Sequence, residues 1–582
     1  EMCIRDRALV RHGGDMGAAP LPRQSRLQIC RRATCPPGRP RYRGPMRTLA
    51  LALALLAPLA LAPIPLHAQT QASLPDVEEK SIPELSAMLA SGRVSSEQLV
   101  NAYIDRIARI DEDTSIQLNS VIALMPDALT EARTLDAERK AGKLRGPLHG
   151  IPVLIKDNIE ARGRIPTTAG STALLANVTD RDAPLVARLR AAGAIILGKT
   201  NLSQWANIRS NDSVSGWSSV GGLVKNPYAL DRNACGSSSG SGAAAAASLA
   251  AATIGTETDG SIICPSSING LVGFKPTLGL VSRTHVIPIS HSQDTAGPMA
   301  RSVTDAALLL TALAGSDPAD PATAEADKRK TDYAAGLSPD YLKGVRIGVL
   351  IDRRGGNARV QAAFAQALEK LKAAGAELVE IADSRTGLEG LGEAEFKVLM
   401  VELKADLNAY LATTPPQVTA RTLKDVIAFN TANAETELAW FDQSLFDLAE
   451  SQKGLDDPEY REALAKSKRL AGAEGIDKLL KTHNVRFLVG PSTAPAWVSD
   501  LVNGDHSIGP SQSQMPAVAG YPHITVPMGL VAGLPVGLSI IGGQWQDHEV
   551  IKAGYAFEQA SKARFAPTYA ASADAKADPM GR

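Results

Sequence analysis

The chain is 582 residues long, with 44% hydrophobic and only 4% aromatic residues, enough to bury a large core and to allow more than one domain. Its 61 Lys+Arg balance 61 Asp+Glu, but residues 1–68 hold 11 of the former and 3 of the latter, which leaves 50 against 58 and a formal charge of −8 for the rest. An acidic remainder with few aromatics argues against nucleic acid, an anionic membrane surface or a base-stacking platform as partner.

Residues 1–45 carry ten Arg, three of the five Cys and no apolar periodicity, and are expected to be a non-native or disordered upstream segment. From Met46 the chain reads Met-Arg-Thr, then an apolar run from Leu49 to Ala62, then Pro-Ile-Pro-Leu-His-Ala before Gln69. That pattern predicts a signal peptide over 46–68, cleaved after Ala68, and hence a periplasmic or secreted protein. The run is shorter than the roughly 20 residues of a spanning helix and is interrupted at Pro58, so no membrane association is expected after cleavage.

The expected single domain covers 69–570. Ser95 and Gln98 form a capping-box pattern before Leu99, Tyr103, Ile104, Ile107 and Ile110, which share one helical face. Short β-branched runs follow at Ile151–Ile155, Ala194–Leu197, Val345–Ile351, Glu377–Ile381, Val485–Val489, Ile524–Val526 and Leu538–Ile541, alternating with Ala- and Leu-rich helical stretches. The alternation predicts an α/β fold with a mixed, mostly parallel twisted sheet covered by helices on both faces. Asp317–Ser338 is polar and proline-marked and reads as a surface excursion; 384–480 is densely helical and charged; 571–582 is expected to be a disordered tail.

Two serine-bearing turns lie 24 residues apart, Cys235-Gly236-Ser237-Ser238-Ser239-Gly240-Ser241 and Gly255-Thr256-Glu257-Thr258-Asp259-Gly260-Ser261. A third motif, Gly150-Ile151-Pro152-Val153-Leu154-Ile155-Lys156-Asp157-Asn158, puts a lysine at the end of an apolar strand. Together they resemble the core of the amidase signature family, serine hydrolases that use no histidine, and the likeness runs from about Ser81 to Ser561. The resemblance implies that Ser261 is the nucleophile, that the backbone N–H groups of Thr258, Asp259, Gly260 and Ser261 form the oxyanion hole, and that no cofactor or metal is needed. It further implies that Ser237, after a cis peptide bond, passes a proton between Ser261 and Lys156. Many members have glycine where Asp259 stands; because the donor is backbone, the hole survives and only the local turn changes. Asp157, Arg232 and Asp294 match positions expected to hold loops by buried charge-assisted bonds, and Lys199 and Asn201 are expected to support rather than react. In the family, 384–480 corresponds to a variable region near the substrate entrance.

An amine must be neutral to accept the serine proton, which requires Lys156 to drop more than about three units from roughly 10.4. Burial at the strand end could supply this, and Asp157 is expected to point away. The Ala243–Ala252 stretch reads as a helix whose positive N-terminal end faces the site. Cys235 and Cys264 flank the two turns; sequence gives no distance between them, so two small buried hydrophobes are expected rather than a bridge, although an oxidising compartment permits one.

Two shorter motifs compete. Gly193–Thr200 satisfies the phosphate-loop pattern, but its intervening residues are themselves an apolar strand. Gly236–Gly240 fits GxSxG, which would make Ser238 the nucleophile with a later acid and one of His483, His506, His523 or His548; the preceding Leu230–Ala234 does not read as the required buried strand. The histidines lack metal-ligand spacing. The expected function is hydrolysis of a carboxamide to carboxylate and ammonia by a monomer or homodimer. The substrate is a small-molecule amide or amidated peptide, since Glu257–Pro265 is worded most like the peptide amidase branch. The alternatives are a glutamine-hydrolysing protein of the amidotransferase type, or a catalytically silent binding protein of the same fold.

Overall fold

The structure is a computed structural model and describes residues 74–574 apart from Ile508. The expected upstream segment and the signal peptide over 46–68 therefore lie outside the described residues, as do 575–582. No helix among the described residues is long and apolar enough to cross a membrane.

Among the described residues eleven strands form one sheet: β1 Val121–Leu124, β2 Pro152–Lys156, β3 Ile195–Thr200, β4 Ala252–Glu257, β5 Val272–Lys275, β6 Thr295–Ala300, β7 Arg346–Leu350, β8 Glu377–Ile381, β9 Phe487–Pro491, β10 His523–Val531 and β11 Leu534–Ile541. Their order is β1-β3-β2-β4-β6-β5-β10-β11-β9-β7-β8. The α/β class and the mixed sheet are as expected, but "mostly parallel" needs correction. Four pairings are parallel, in two flanking groups (β3-β2-β4 and β9-β7-β8), and six are antiparallel. The cause is local: β10 and β11 are joined by the short Ala532-Gly533 turn, where both residues have positive φ, so they close as a hairpin and not through a crossover helix.

Helices Ser239–Ala246, Val303–Leu313, Ala358–Ala373 and Asp547–Ser561 pack on the sheet. The early helix is Ser96–Arg106 with both halves of the Ser95/Gln98 capping box formed, and Leu99, Tyr103, Ile107 and Ile110 are buried in the main core. The alanine-rich helix is shifted from its expected place: it spans Ser239–Ala246, Ser248 turns with φ 55°, and β4 already begins at Ala252. Alanine carries no period-2 signal, so only Thr253 and Ile254 marked the strand. Every residue of this helix is buried, which small side chains permit by letting it lie close to the sheet.

The 384–480 region is helical as expected, and its longest helix is Leu391–Ala412. Asp317–Ser338 is less detached than expected, since Asp320 pairs with Arg283 and Tyr333 is buried. The tail also corrects the expectation as far as it is described. Leu230 N–H donates to Ala570 O, and Asp574 N–H donates to Ala532 O, so 570–574 is anchored.

Candidate active site

The site follows from the topology of β2, β4 and the helix between β3 and β4. Strands β2 and β4 are parallel neighbours, with Val153 opposite Ala252, Leu154 opposite Thr253 and Ile155 opposite Ile254. Parallel strands end on the same edge of a sheet, so Lys156 and the turn after Glu257 emerge side by side. The helix Ser239–Ala246 runs down to the start of β4, which places its N-terminus, and Ser237 just before it, on that same edge. Three motifs distant in sequence thereby converge.

Lys156 is fully buried, and its Nζ lies 2.7 Å from Ser237 Oγ, 2.9 Å from Thr256 Oγ1 and 3.4 Å from Thr256 O. Burial pulls its pKa down to about 7, against the opposing pull of the Asp294 and Glu257 carboxylates. Asp157 does point away: its carboxylate accepts from Thr168 N–H at 3.1 Å and faces Lys199 at 3.4 Å. A neutral amine has two N–H groups and one lone pair. The contacts allow it to donate to Thr256 and accept from the Ser237 hydroxyl.

The Gly236–Ser237 peptide is cis, as the resemblance implied. Gly236 has no room for a side chain, because a Cβ there would meet Ser203 Oγ at 2.1 Å. Gly260 has φ +80°, which a side chain would strain. Ser238 N–H donates to Ser261 O at 3.2 Å and locks the two turns together. Beyond the turn, Glu257 accepts from Ile262 N–H at 2.7 Å and Ile263 N–H at 3.0 Å. Among the described residues the N–H groups of Thr258, Asp259, Gly260 and Ser261 meet no protein acceptor, so they remain available to a ligand. Ser261 Oγ likewise makes no hydrogen bond to protein there, and the step between Ser237 and Ser261 is not closed by one. A cavity of about 150 Å³ opens over Ser261, walled by the 258–261 turn, Gly236 and the apolar Ile289, Phe396, Leu399 and Leu445.

Several supporting residues behave as expected. Asp294 accepts from Thr258 Oγ1 at 2.6 Å and from Ile289 and Ser290 N–H, steadying the oxyanion turn; burial raises its pKa to about 6. Lys199 Nζ donates to Ile159 O and Thr167 Oγ1, and Asn201 Nδ2 donates to Asn119 O and Gly222 O. Arg232 does not fit: its side chain is only partly buried and its ion pair, at 3.3 Å, is with its neighbour Asp231, while its tie to the 497–499 loop is a backbone bridge to Val498 and not a buried charge-assisted bond. Cys235 and Cys264 are bridged, contrary to expectation, with Cα atoms 6.1 Å apart. Strand β4 and the two turns bring together positions that are 29 residues apart in the chain. Sequence reasoning missed Thr256, Asn158 and Glu257. Only the alternation along β4 could have pointed to Thr256; Asn158 Nδ2 also donates to its Oγ1 at 3.0 Å.

The competing motifs fail on geometry. Lys199 and Thr200 lie inside β3, not at a helix N-terminus. Ser238 Oγ bonds the backbone of Thr256, and no histidine reaches it among the described residues. The preceding segment is a strand after all, Ala229–Asn233, but it belongs to a partly exposed two-stranded ribbon and not to the central sheet. His523 is buried in β10 against Ser539 Oγ. The fold does gather His291, Glu402 and Asp406, yet Glu402 is taken up by Ser290, Ser292 and Tyr460 hydroxyls.

The fold thus brings Lys156, Ser237 and Ser261 to one edge of the sheet beside a cavity. The chain matches the model of the family described as Amidase over residues 98–551, and it belongs to that family, hydrolases of carbon–nitrogen bonds in amides. Its fold is similar to the crystal structure of native peptide amidase from Stenotrophomonas maltophilia, at 49% identity and TM-score 0.80, covering 84% of this chain and 99% of that one. It is also similar to an Arabidopsis thaliana protein named "Probable amidase", 37% identical over 85% of this chain and 92% of that protein. A more distant likeness is to a glutamyl-tRNA(Gln) amidotransferase chain of Halorhodospira halophila, 33% identical over 83% of this chain and 97% of that protein.

Proposed function

We propose that the chain hydrolyses a carboxamide to a carboxylate and ammonia through an acyl-enzyme on Ser261, with Ser237 and neutral Lys156 carrying the proton. The observation that carries this reading is the buried Lys156 amine 2.7 Å from Ser237 Oγ, beneath a turn whose backbone donors are unused. On substrate binding Ser261 Oγ turns toward Ser237, gives it a proton, and bonds to the carbonyl carbon while Ser237 passes its own proton to Lys156. The carbonyl oxygen becomes an oxyanion held by the N–H groups of 258–261. The C–N bond then breaks as the proton returns through Ser237 to the leaving nitrogen, which departs as ammonia. Water repeats the sequence on the acyl-enzyme and frees the acid. These residues supply nucleophile, base and oxyanion donors, so the chemistry calls on no cofactor.

The acyl donor we favour is a C-terminally amidated peptide, supported by the likeness to the peptide amidase and by the apolar wall at Phe396, Leu399 and Leu445. Free glutamine would need a cation for its α-carboxylate, and no Lys, Arg or His lines the cavity among the described residues. That counts against the amidotransferase-type reading. An ammonia-release screen over amidated peptides, aliphatic amides, aryl amides and glutamine tests the choice: peptide amides should lead, and glutamine hydrolysis alone would overturn it. A silent binding protein would release no ammonia from any of them. The disulfide suits an oxidising compartment and supports, with the 46–68 pattern, export to the periplasm or medium.

A further inference from the structure

Two walls of the cavity over Ser261 are far apart in sequence and meet at a buried cation. Ala206, Asn207 and Ile208 stand on one wall and Leu445 on the other. The first wall is strained. Trp205, Ala206 and Asn207 are three successive non-glycine residues with φ of 50°, 54° and 73°, a left-handed conformation that persists only where neighbours enforce it. Arg209 follows directly and is fully buried. Its Nη1 donates to Glu437 O and its Nη2 to Phe441 O at 3.3 Å, while the guanidinium lies 4.1 Å from the centroid of the Phe441 ring and 5.7 Å from that of Trp217. Its own carbonyl accepts from Leu445 N–H at 3.1 Å and Phe446 N–H at 3.3 Å, at the start of the helix Ser444–Glu450. The Glu437 carboxylate, also buried, fastens the far side of the strained turn: it accepts from Thr172 N–H at 2.9 Å, from Ser219 Oγ at 2.9 Å and from Gln204 Nε2, directly before Trp205. Burial lowers the Arg209 pKa to about 10, against the Glu437 and Asp442 carboxylates, so the group stays charged at neutral pH.

We infer that Arg209 is a positioning residue for the amidase reaction: it clasps the 205–208 turn to the 437–446 segment and so sets the width of the acyl cavity over Ser261. The inference rests on the amidase reading and adds to it what shapes the acyl site. A guanidinium suits this place because its planar fork reaches two carbonyls while its face lies against aromatic rings, which an ammonium cannot reproduce. Among the described residues its hydrogen bonds run to the 437–446 segment and none reaches Lys156, Ser237 or Ser261, so it takes no part in the proton path. Without the clasp Leu445 loses its fixed place opposite Ile208, and the strained turn relaxes. A large apolar acyl residue, which must touch both walls, then binds less well. An acyl residue without a side chain touches neither wall and is spared.

The test measures ammonia release from N-acetylated dipeptide amides ending in Gly or Leu, together with the rate at which a small fluorophosphonate labels Ser261, for the full chain and for Arg209→Met, Arg209→Lys and Phe441→Leu. Arg209→Met should raise KM for the Leu amide by about tenfold or more, with KM for the Gly amide, kcat on both and the labelling rate all held within about threefold. Arg209→Lys should restore only part of the Leu KM. Phe441→Leu removes a ring but keeps both carbonyl acceptors; it should raise the Leu KM by about threefold, and it decides the question if Arg209→Met does not fold. Equal losses on both amides in a folded variant, a labelling rate that falls with them, or unchanged kinetics would each overturn the positioning role. Failure of the amidase reading looks different, since the native chain would then release ammonia from neither amide.

Discussion

Replacing Lys156 with methionine should make the protein more stable and nearly inactive, a combination that a structural cation at this position would not give. The lowering of its pKa from 10.5 to about 7 amounts to about 5 kcal/mol of preference for the neutral amine. In the unfolded chain the same lysine keeps its proton up to about 10.5. Between these values the unfolded state binds more protons, so burying Lys156 costs stability. The cost is full below about pH 7 and fades as pH rises toward 10.5. At pH 7 it is about 4 kcal/mol. Methionine has similar length and no charge, but it leaves Thr256 Oγ1 and Ser237 Oγ short of a partner, at a cost of about 1–3 kcal/mol. A net gain of about 1–3 kcal/mol should remain near neutral pH and shrink steadily up to pH 10. Urea melts of the two proteins at pH 6, 8 and 10 would read it. Activity should fall by about 10²–10⁴, the worth of a positioned general base. A Lys156→Met protein that is less stable at pH 6, with a difference that ignores pH, would refute the reasoning and make this lysine a structural ion.

Three further outcomes follow from the same geometry. The lower limb of kcat/KM against pH should show an apparent pKa near 7, with activity rising as Lys156 loses its proton; a flat profile from pH 5.5 to 8.5 would contradict this. Reducing Cys235–Cys264, or changing Cys264→Ser, should cost about 2–4 kcal/mol of stability and lower kcat, because the bridge ties the segment before Ser237 to the helix after Ser261; unchanged kcat after verified reduction would show that the other turn contacts suffice. Protein recovered from a secreting host should begin at Gln69, and N-terminal sequencing that finds 46–68 retained would exclude the predicted cleavage.

Much of the site was legible because its chemistry is written in short stretches with unusual composition. Lys156 ends a run of apolar residues that would bury it, and Ser261 follows Asp259-Gly260 in a glycine-bearing turn. Ser237 and Ser261 could be placed together only through the family resemblance, since their meeting depends on the helix Ser239–Ala246 and β4 doubling back to one edge. The disulfide was illegible for the same reason: a Cα separation of 6.1 Å is a property of that packing and not of spacing along the chain. Thr256 was hidden because threonine in a strand is ordinarily just a good strand former. The direction of the central strands escaped as well. Apolar runs report burial on both faces but carry no sign for parallel or antiparallel pairing, and the hairpin at Ala532-Gly533 is a two-residue detail in a long sequence.

The most direct measurement is peptide mapping after reaction with a serine-reactive fluorophosphonate, carried out on the native chain and on Ser261→Ala and Ser238→Ala. The label should sit on Ser261, vanish in Ser261→Ala together with ammonia release, and persist in Ser238→Ala; label on Ser238, or full turnover by Ser261→Ala, would contradict the assignment of the nucleophile and the mechanism built on it.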